Sequence, residues 1–505
     1  MLLQAQRYYC AGKTIKQENN QPTVNMTSIH FLKFSAVVLF SFVLVYPVQS
    51  QAQWSVQDGW ALKNGERFFA VGAWGIPKYT FSTRPDANDS LKVIFEEQTN
   101  PFNMVYVQYG REKAYMASKT IFTGHAHLRW RFGKGYTGDR EIFLKDKDKG
   151  FVSYAQMRDI LGNLDAYRPY IRKIATEIDG RFTKKGFDTV WLLADEPDNG
   201  SYSWMMYPEI LEVFREESAA VSENRPLTIV DLFGNIRGNK YLFEQNLKKT
   251  TPDGNMPVKL PLATSFSEQN RSFPGFQGSE ADLHSFHTAY DGEPSYELKD
   301  GKWKRRSLSY FRSKYYQNVL ETGKAYKNTS DVLAINAYSD FLAYPEMAGE
   351  AVDALREGAG DDKIIWMFYD GQANTRFGGG HNRKDEDYRA YIKQIKVQAY
   401  TSIAHGATGV LFWATGGEVT NNAYWKYVRE FAGELQQQSG IFKGTLDTKS
   451  VINMHLHVAL FTDTKGVRWL LAVNTDRKNR QSLRLDGWPA ITLQTEDFVL
   501  VQEQN

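Results

Sequence analysis

Along most of the chain, short apolar runs alternate with longer stretches whose apolar positions recur every three or four residues. The short runs read as buried strands and the long stretches as amphipathic helices. Arg67–Pro77 predicts a first strand, Met104–Tyr109 a second and Ile121–Leu128 a third. A helix follows over Ser153–Asp179, then a fourth strand at Thr189–Ala194, a helix at Met206–Ser222 and a fifth strand at Leu227–Phe233. The same rhythm gives a helix at Lys314–Lys327, a sixth strand at Asp331–Tyr338 and a helix at Pro345–Gly358. Lys363–Tyr369 is the seventh strand, Asp385–His405 a helix, Gly409–Ala414 the eighth strand and Asn422–Gln438 the last helix. Eight strand–helix units in order are what a closed parallel barrel needs, so residues 53–445 are expected to form an α/β domain, a (β/α)8 TIM barrel. An open doubly wound sheet would alternate similarly but usually carries a Gly-rich phosphate loop after its first strand, and none is present.

Three regions depart from the rhythm. Residues 235–307 are rich in Gly, Pro, Ser and charge, with a hairpin-like Tyr-Glu-Leu-Lys-Asp-Gly-Lys-Trp at 296–303; they read as an insertion on the face formed by the strand ends. Residues 446–505 show short alternating strands at His455–Phe461, Val467–Val473, Ser482–Leu485 and Phe498–Gln502, a small C-terminal all-β domain. The beginning is a targeting segment. Residues 1–25 are polar and aperiodic, an unstructured extension or a mis-assigned start. Met26 opens a better one, with His30 and Lys33 ahead of an apolar run from Phe34 to Val45 and small residues at Ser50 and Ala52. That run is too short to span a bilayer, so 26–52 is expected to be a cleaved signal peptide and the mature protein to be secreted or periplasmic, without stable membrane insertion.

The leader changes the meaning of the charge. Arg7, Lys13, Lys16 and Lys33 against Glu18 give residues 1–50 a net +3, which is also the charge of the whole chain. The remainder is formally neutral, so the basic balance does not point to nucleic acid or membrane partners. The single cysteine, Cys10, also lies in the leader, which leaves the mature chain without disulfide or thiol chemistry. Aromatics make up 14% of the chain, with 12 Trp and 28 Tyr. Flat rings suit either a large core or the stacking of sugar faces.

In a parallel barrel the side chains at the C-terminal strand ends face the substrate, so carboxylates at strand ends are the test. The fourth strand ends Asp195-Glu196-Pro197, two acids directly after a buried apolar run. A capping residue beside a solvated one is the structural alternative. Cleavage of a glycosidic bond needs two carboxyl groups, one to protonate the leaving oxygen and one to act at the anomeric carbon. Glu196 is the expected acid.

Trp60-Ala-Leu-Lys-Asn-Gly-Glu-Arg-Phe-Phe-Ala-Val-Gly-Ala-Trp74, Leu193-Ala-Asp-Glu-Pro197 and His405-Gly-Ala-Thr-Gly-Val-Leu-Phe-Trp413 resemble clan A glycoside hydrolases, the β-galactosidase- and cellulase-type barrels. The resemblance covers roughly residues 54–440. It implies a retaining glycoside hydrolase acting on a poly- or oligosaccharide without metal or organic cofactor, which the leader makes an exported one. Glu196 would be its acid/base, and Trp413 would floor the sugar site. The departures are at the acids. Clan A has Asn where this chain has Asp195, and a Glu nucleophile where the seventh strand here ends at Asp370, which is equally a turn residue before Gly371. The Asp-Glu pair also resembles that of hexosaminidases. In those, Asp195 would steer the substrate's own acetamido group while Glu196 serves as acid/base.

Two other classes stay open. One is a non-catalytic carbohydrate-binding barrel. The other is a metal hydrolase using His125 and His127, although strands five, six and eight supply no further histidine. A sugar-contacting or structural role for these histidines is the stronger reading. Arg129, Arg131 and Lys134 would face an acidic or sulfated sugar, or simply solvent. Trp74, Tyr109, Asp231, Asn336, Tyr338, Asp340, Trp413 and Glu418 complete the strand-end binding candidates, with Trp74 and Trp413 foremost.

Overall fold

Ile364–Asp370 is buried at all seven of its positions, as a parallel strand covered on both faces must be. It is one of eight such strands in the computed structural model. The model describes residues 53–74, 100–107, 120–123, 162–185, 188–198, 208–234, 296–337, 344–371, 384–413 and 423–503, all within one unit, Gln49–Asn505. The leader, most of the 235–307 insertion and several strand–helix links lie outside the described residues.

An antiparallel meander of β1 (Trp54–Gln57), β2 (Trp60–Lys63) and β3 (Glu66–Arg67) precedes the barrel. The barrel strands are β4 (Ala70–Trp74), β5 (Met104–Val107), β6 (Thr120–Thr123), β7 (Thr189–Asp195) and β8 (Leu227–Leu232), followed after the β9 (Tyr296–Lys299) and β10 (Lys302–Arg305) hairpin by β11 (Val332–Ala337), β12 (Ile364–Asp370) and β13 (Gly409–Trp413). Each pairs in parallel with the next, and β13 pairs back onto β4, so the ring of eight closes. Six helices are described: α1 (Leu164–Arg181), α2 (Pro208–Val221), α3 (Leu308–Tyr326), α4 (Met347–Ala359), α5 (Asp385–Ala404) and α6 (Ala423–Phe442). They follow the third to the eighth barrel strands. The links after the first and second strands lie outside the described residues.

Two apolar clusters divide the strands by parity. Val190, Leu192, Ile229, Ala334, Ile364, Trp366, Phe368 and Leu411 fill the interior. Their neighbours Trp191, Leu193, Val230, Leu232, Ile335, Met367, Tyr369 and Phe412 pack toward the helices. Trp366 leaves no room for a side chain at Gly409 on the neighbouring β13, where a Cβ would lie 2.7 Å from its ring.

The C-terminal region is a four-stranded antiparallel sheet ordered β14 (Thr445–Ile452), β15 (Leu456–Thr462), β16 (Arg468–Asn474), β19 (Asp497–Gln502), with a β17 (Gln481–Leu483)–β18 (Ile491–Leu493) hairpin. This agrees with the expected all-β region and adds β14 and β18. β14 is exposed at nearly every position, so it carried no apolar alternation to find. The 296–303 hairpin is present as β9–β10, turning through Asp300 and Gly301 at φ 54° and 70°, the conformation that Asp-Gly favours. Among the described residues no helix is long and apolar enough to cross a membrane.

Candidate active site at the strand ends

The pairing of β7 with β8 slips between Leu192 and Ala194. Leu192 faces the interior, whereas Leu193 and Ala194 both belong to the helix-side cluster. Strict alternation from Leu192 would have turned Asp195 outward. The extra residue of the bulge returns Asp195 to the interior side, where its register partner is Asp231 of β8. Asp231 faces inward because Val230 and Leu232 on either side of it pack toward the helices. Two carboxyl groups thus stand side by side at neighbouring strand ends.

Glu196 follows in a left-handed backbone conformation, φ 47°. For a side chain with a Cβ this costs on the order of 1 kcal/mol. Two contacts hold it: its N–H donates to the Asp231 carbonyl at 2.8 Å, and Asn336 Nδ2 of β11 donates to Glu196 Oε1 at 2.6 Å. Asp195 and Glu196 are half-buried, which leaves both reachable from outside. Asp198, two residues on, is fully buried and accepts from the N–H groups of Phe233 and Gly234 at 2.7 and 2.6 Å. It ties the Asp-Glu-Pro turn to the end of β8.

Asp231 is the unusual member. Its side chain is fully buried, and neither carboxyl oxygen has a hydrogen-bond partner of normal geometry. Burial raises its pKa well above the ordinary carboxylate value. The charges of Asp195, Glu196 and Asp198 push it further, and Asn336 opposes part of the rise. Asp231 therefore holds its proton above the range in which an ordinary carboxyl group loses it.

Asp370 ends β12 with interior parity and is the register partner of Trp413. It is nevertheless fully buried, its Oδ2 accepts from Tyr391 of α5 at 2.9 Å, and its carbonyl accepts from Tyr424 of α6 at 3.2 Å. The first barrel strand brings Trp74 beside Trp413 in register. Trp74 is only 8% exposed and packs edge-on against Phe368 with ring centroids 5.5 Å apart. Of the two tryptophans, half-buried Trp413 keeps the surface a ligand could touch.

The sequence-predicted Glu196, Asp195, Asp231 and Asn336 are thus brought together on β7, β8 and β11, and Asp370, Trp413 and Trp74 on β12, β13 and β4. His125, His127, Tyr109, Tyr338, Asp340, Glu418, Arg129, Arg131 and Lys134 lie outside the described residues. Sequence reasoning missed the anchoring by Asp198, whose position directly after Asp-Glu-Pro was the one available signal, and the tyrosines that engage Asp370. Among the described residues no group of three or more His, Cys, Asp or Glu side chains is arranged to hold a metal ion.

The opposite end of the barrel holds a second polar group that sequence reasoning did not foresee. His405, at the end of α5, donates from Nδ1 to Asp353 of α4 at 2.6 Å, and its Nε2 shares a hydrogen bond of 2.8 Å with His457 Nδ1 of the C-terminal sheet. Lys449 Nζ reaches the other Asp353 oxygen at 2.5 Å. Burial tends to raise Asp353, but His405 and Lys449 overcome it and hold the carboxyl below its ordinary value. Burial, helped by the charges of His405 and Arg312, lowers His457 to about 3. A cavity of about 310 Å³ lies here, lined among others by Trp60, Arg67, Arg356, Gly406 and Lys449. Arg67 donates to the Lys443 and Gly444 carbonyls, and Arg356 to those of Asp361 and Gly406. Gly406–Thr408 enter β13 at its start, so this cavity is at the end of the barrel away from the acids.

No family model matches the chain, and no curated protein does. Among solved structures it is similar to a GH27 β-L-arabinopyranosidase from Geobacillus stearothermophilus, at 10% identity and TM-score 0.41 over 86% of this chain and 96% of the other. A β-1,4-mannanase from the common sea hare Aplysia kurodai is similar at 12% identity and TM-score 0.33, over 75% and 96%. An endo-β1,6-glucanase is similar at 11% identity and TM-score 0.33, over 90% and 95%. These neighbours are glycoside hydrolases. At such identities and scores none of them assigns an activity to this chain.

Proposed function

We propose that the chain is a glycoside hydrolase that cleaves a glycosidic bond in an oligo- or polysaccharide with net retention, with Glu196 as general acid/base. The observation that carries this reading is the end of β7, where a bulge and a left-handed residue spend stability to present two half-exposed acids beside a fully buried third whose pKa is raised. Glu196 gives its proton to the glycosidic oxygen as the bond breaks. It takes a proton back from the water that completes hydrolysis.

Asp195 is the favoured partner, because it is half-exposed and turned to the interior side beside Glu196. In that role it steers and stabilises an acetamido group of the substrate, which itself attacks the anomeric carbon. A second reading uses Asp370 as a covalent nucleophile. Its interior parity and its level with Trp413 favour it, but its bond to Tyr391 must then give way.

The test is a screen on labelled glycosides and polysaccharides with the wild type and Glu196→Gln. Loss of the proton donor is expected to lower turnover by about 10²–10⁴-fold, and unchanged turnover would remove Glu196 from the mechanism. Asp195→Asn and Asp370→Asn then separate the two partners: the one whose loss matches that of Glu196→Gln is in the reaction. Export to a secreted or periplasmic location is part of the proposal and rests on the leader-like 26–52 segment. Sequencing of the mature N-terminus should place cleavage after Ser50 or Ala52.

A further inference from the structure

Asn336 stands near the end of β11, beside acids from β7 and β8. It is buried, and its Nδ2 donates to Glu196 Oε1 at 2.6 Å. The amide also acts on the Asp231 carboxyl and opposes part of its pKa rise, yet neither Asp231 oxygen gains a hydrogen bond of normal geometry. The donor is thus committed to the half-exposed acid and withheld from the fully buried one. Stability alone favours the opposite choice, because a buried carboxyl without a donor costs more than one that water can reach. Turning the amide over would set Oδ1 against Oε1, two acceptors, whenever Glu196 is ionised. The service to Glu196 therefore calls for a reason other than stability.

We propose that Asn336 is a positioning residue for the reaction: its amide clamps Oε1 of Glu196, so that the transferable proton of the acid is carried on Oε2. This rests on the reading of Glu196 as the acid/base. In the neutral acid the oxygen that accepts from Nδ2 is the carbonyl one, and the hydroxyl is the other. Two neighbouring strands then hold the residue. The carboxyl is fixed from β11, and the left-handed backbone from β8, through the 2.8 Å bond of Glu196 N–H to the Asp231 carbonyl. An amide does not ionise, so it donates in both halves of a retaining cycle, when Glu196 gives its proton and when, ionised, it takes one back. The acids that share this corner are Asp195 and Glu196 at the end of β7, Asp198 in the following turn and Asp231 on β8. Like charge among them disfavours ionised Glu196. An N–H donated to the carboxylate opposes that.

The experiment compares the wild type with Asn336→Ala and Asn336→Asp in two measurements. The first needs no substrate. Glutamate carboxyl carbons are labelled with carbon-13, and the Glu196 resonance is the one missing from Glu196→Gln. Its titration midpoint should move up by about 1 pH unit in Asn336→Ala, a tenfold change in the proton equilibrium. Asn336→Asp should move it at least as far, because an ionised aspartate removes the donor and adds like charge. It keeps the size of the side chain, so it carries the test should Asn336→Ala fail to fold. A folded variant with the wild-type midpoint would overturn the proposal.

The second measurement is kcat and KM against pH on a substrate found in the screen. Both variants should lose about 10²-fold in kcat as the carboxyl loses its fixed geometry. KM should stay near the wild-type value, and the alkaline limb should move up with the carboxyl midpoint. A raised KM with the limb at its wild-type place would make Asn336 a substrate-binding group and overturn the positioning role. So would wild-type kcat in Asn336→Ala. Full activity in Glu196→Gln would instead sink the acid reading, while the carbon-13 midpoints would still report whether the amide clamps Glu196.

Discussion

At the base of the barrel, Asp353 divides its two oxygens between His405 and Lys449 and links α4 to the C-terminal sheet. At the mouth, Asp231 is more deeply buried than Asp353 and has no partner of normal geometry at all. The first carboxyl is held below its ordinary pKa and the second well above it. Partners explain the difference. Paired charge at the base fastens one part of the fold to another, whereas at the mouth burial, strain and like charge are concentrated around Glu196. Enzymes commonly tolerate such costs where a group must be kept reactive. Asp198 shows that location alone is not the rule, for it sits at the mouth and is fully paired.

The largest stability effect should come from Asp198. Asp198→Ala leaves the N–H groups of Phe233 and Gly234 without their acceptor, and should cost about 3–4 kcal/mol in urea unfolding. A cost under about 1 kcal/mol would mean that pairing does not mark structural carboxylates here. Asp353→Ala should come next at about 2–3 kcal/mol, because His405 and Lys449 lose a shared partner that is partly open to water. Its turnover per folded molecule should stay at the wild-type level, and a loss would break the division of labour between the two ends.

Acid should act on the two ends in opposite senses. His457 is packed neutral among His405, His455, Arg312 and Asp353, with its pKa lowered to about 3. The unfolded chain binds that proton from about pH 6.5 downward, so stability falls as pH drops from there toward 3, by at most about 1.4 kcal/mol per pH unit. His457→Asn should flatten this slope. Asp231, whose raised pKa gives the reverse slope from the ordinary carboxylate range upward, acts over part of the same window, so Asp231→Asn should steepen the fall that His457 causes. The smallest effect is a gain: Glu196→Gly relieves the left-handed backbone and should add about 1 kcal/mol while abolishing turnover. A destabilised Glu196→Gly would show that the conformation at 196 is not strained.

Much of this architecture was legible because it is local. Strands such as Ile364–Asp370 and Val332–Ala337 are continuous apolar runs, and helices such as Asp385–Ala404 have the helical period. β14 escaped notice because its side chains face solvent and follow no apolar pattern. The Asp-Glu-Pro run at a strand end was equally plain, as was the departure from the resembling families at Asp195. Asp370 was harder. Its place at the end of a strand could be read, but Tyr391 and Tyr424 come from helices, and nothing near 370 in the chain announces them.

What the sequence determined by itself is the order of strands and helices and the placing of Asp195 and Glu196 at the end of the fourth barrel strand. Periodicity and burial act over a few residues, and they suffice for that. The tertiary structure alone decided that Asp195 turns inward, since the bulge is defined only against β8. It alone supplied the partner of Glu196, an amide 140 residues away, and the burial that raises the pKa of Asp231. Hydrogen bonds and desolvation depend on what arrives from elsewhere in the chain, and no local pattern encodes that.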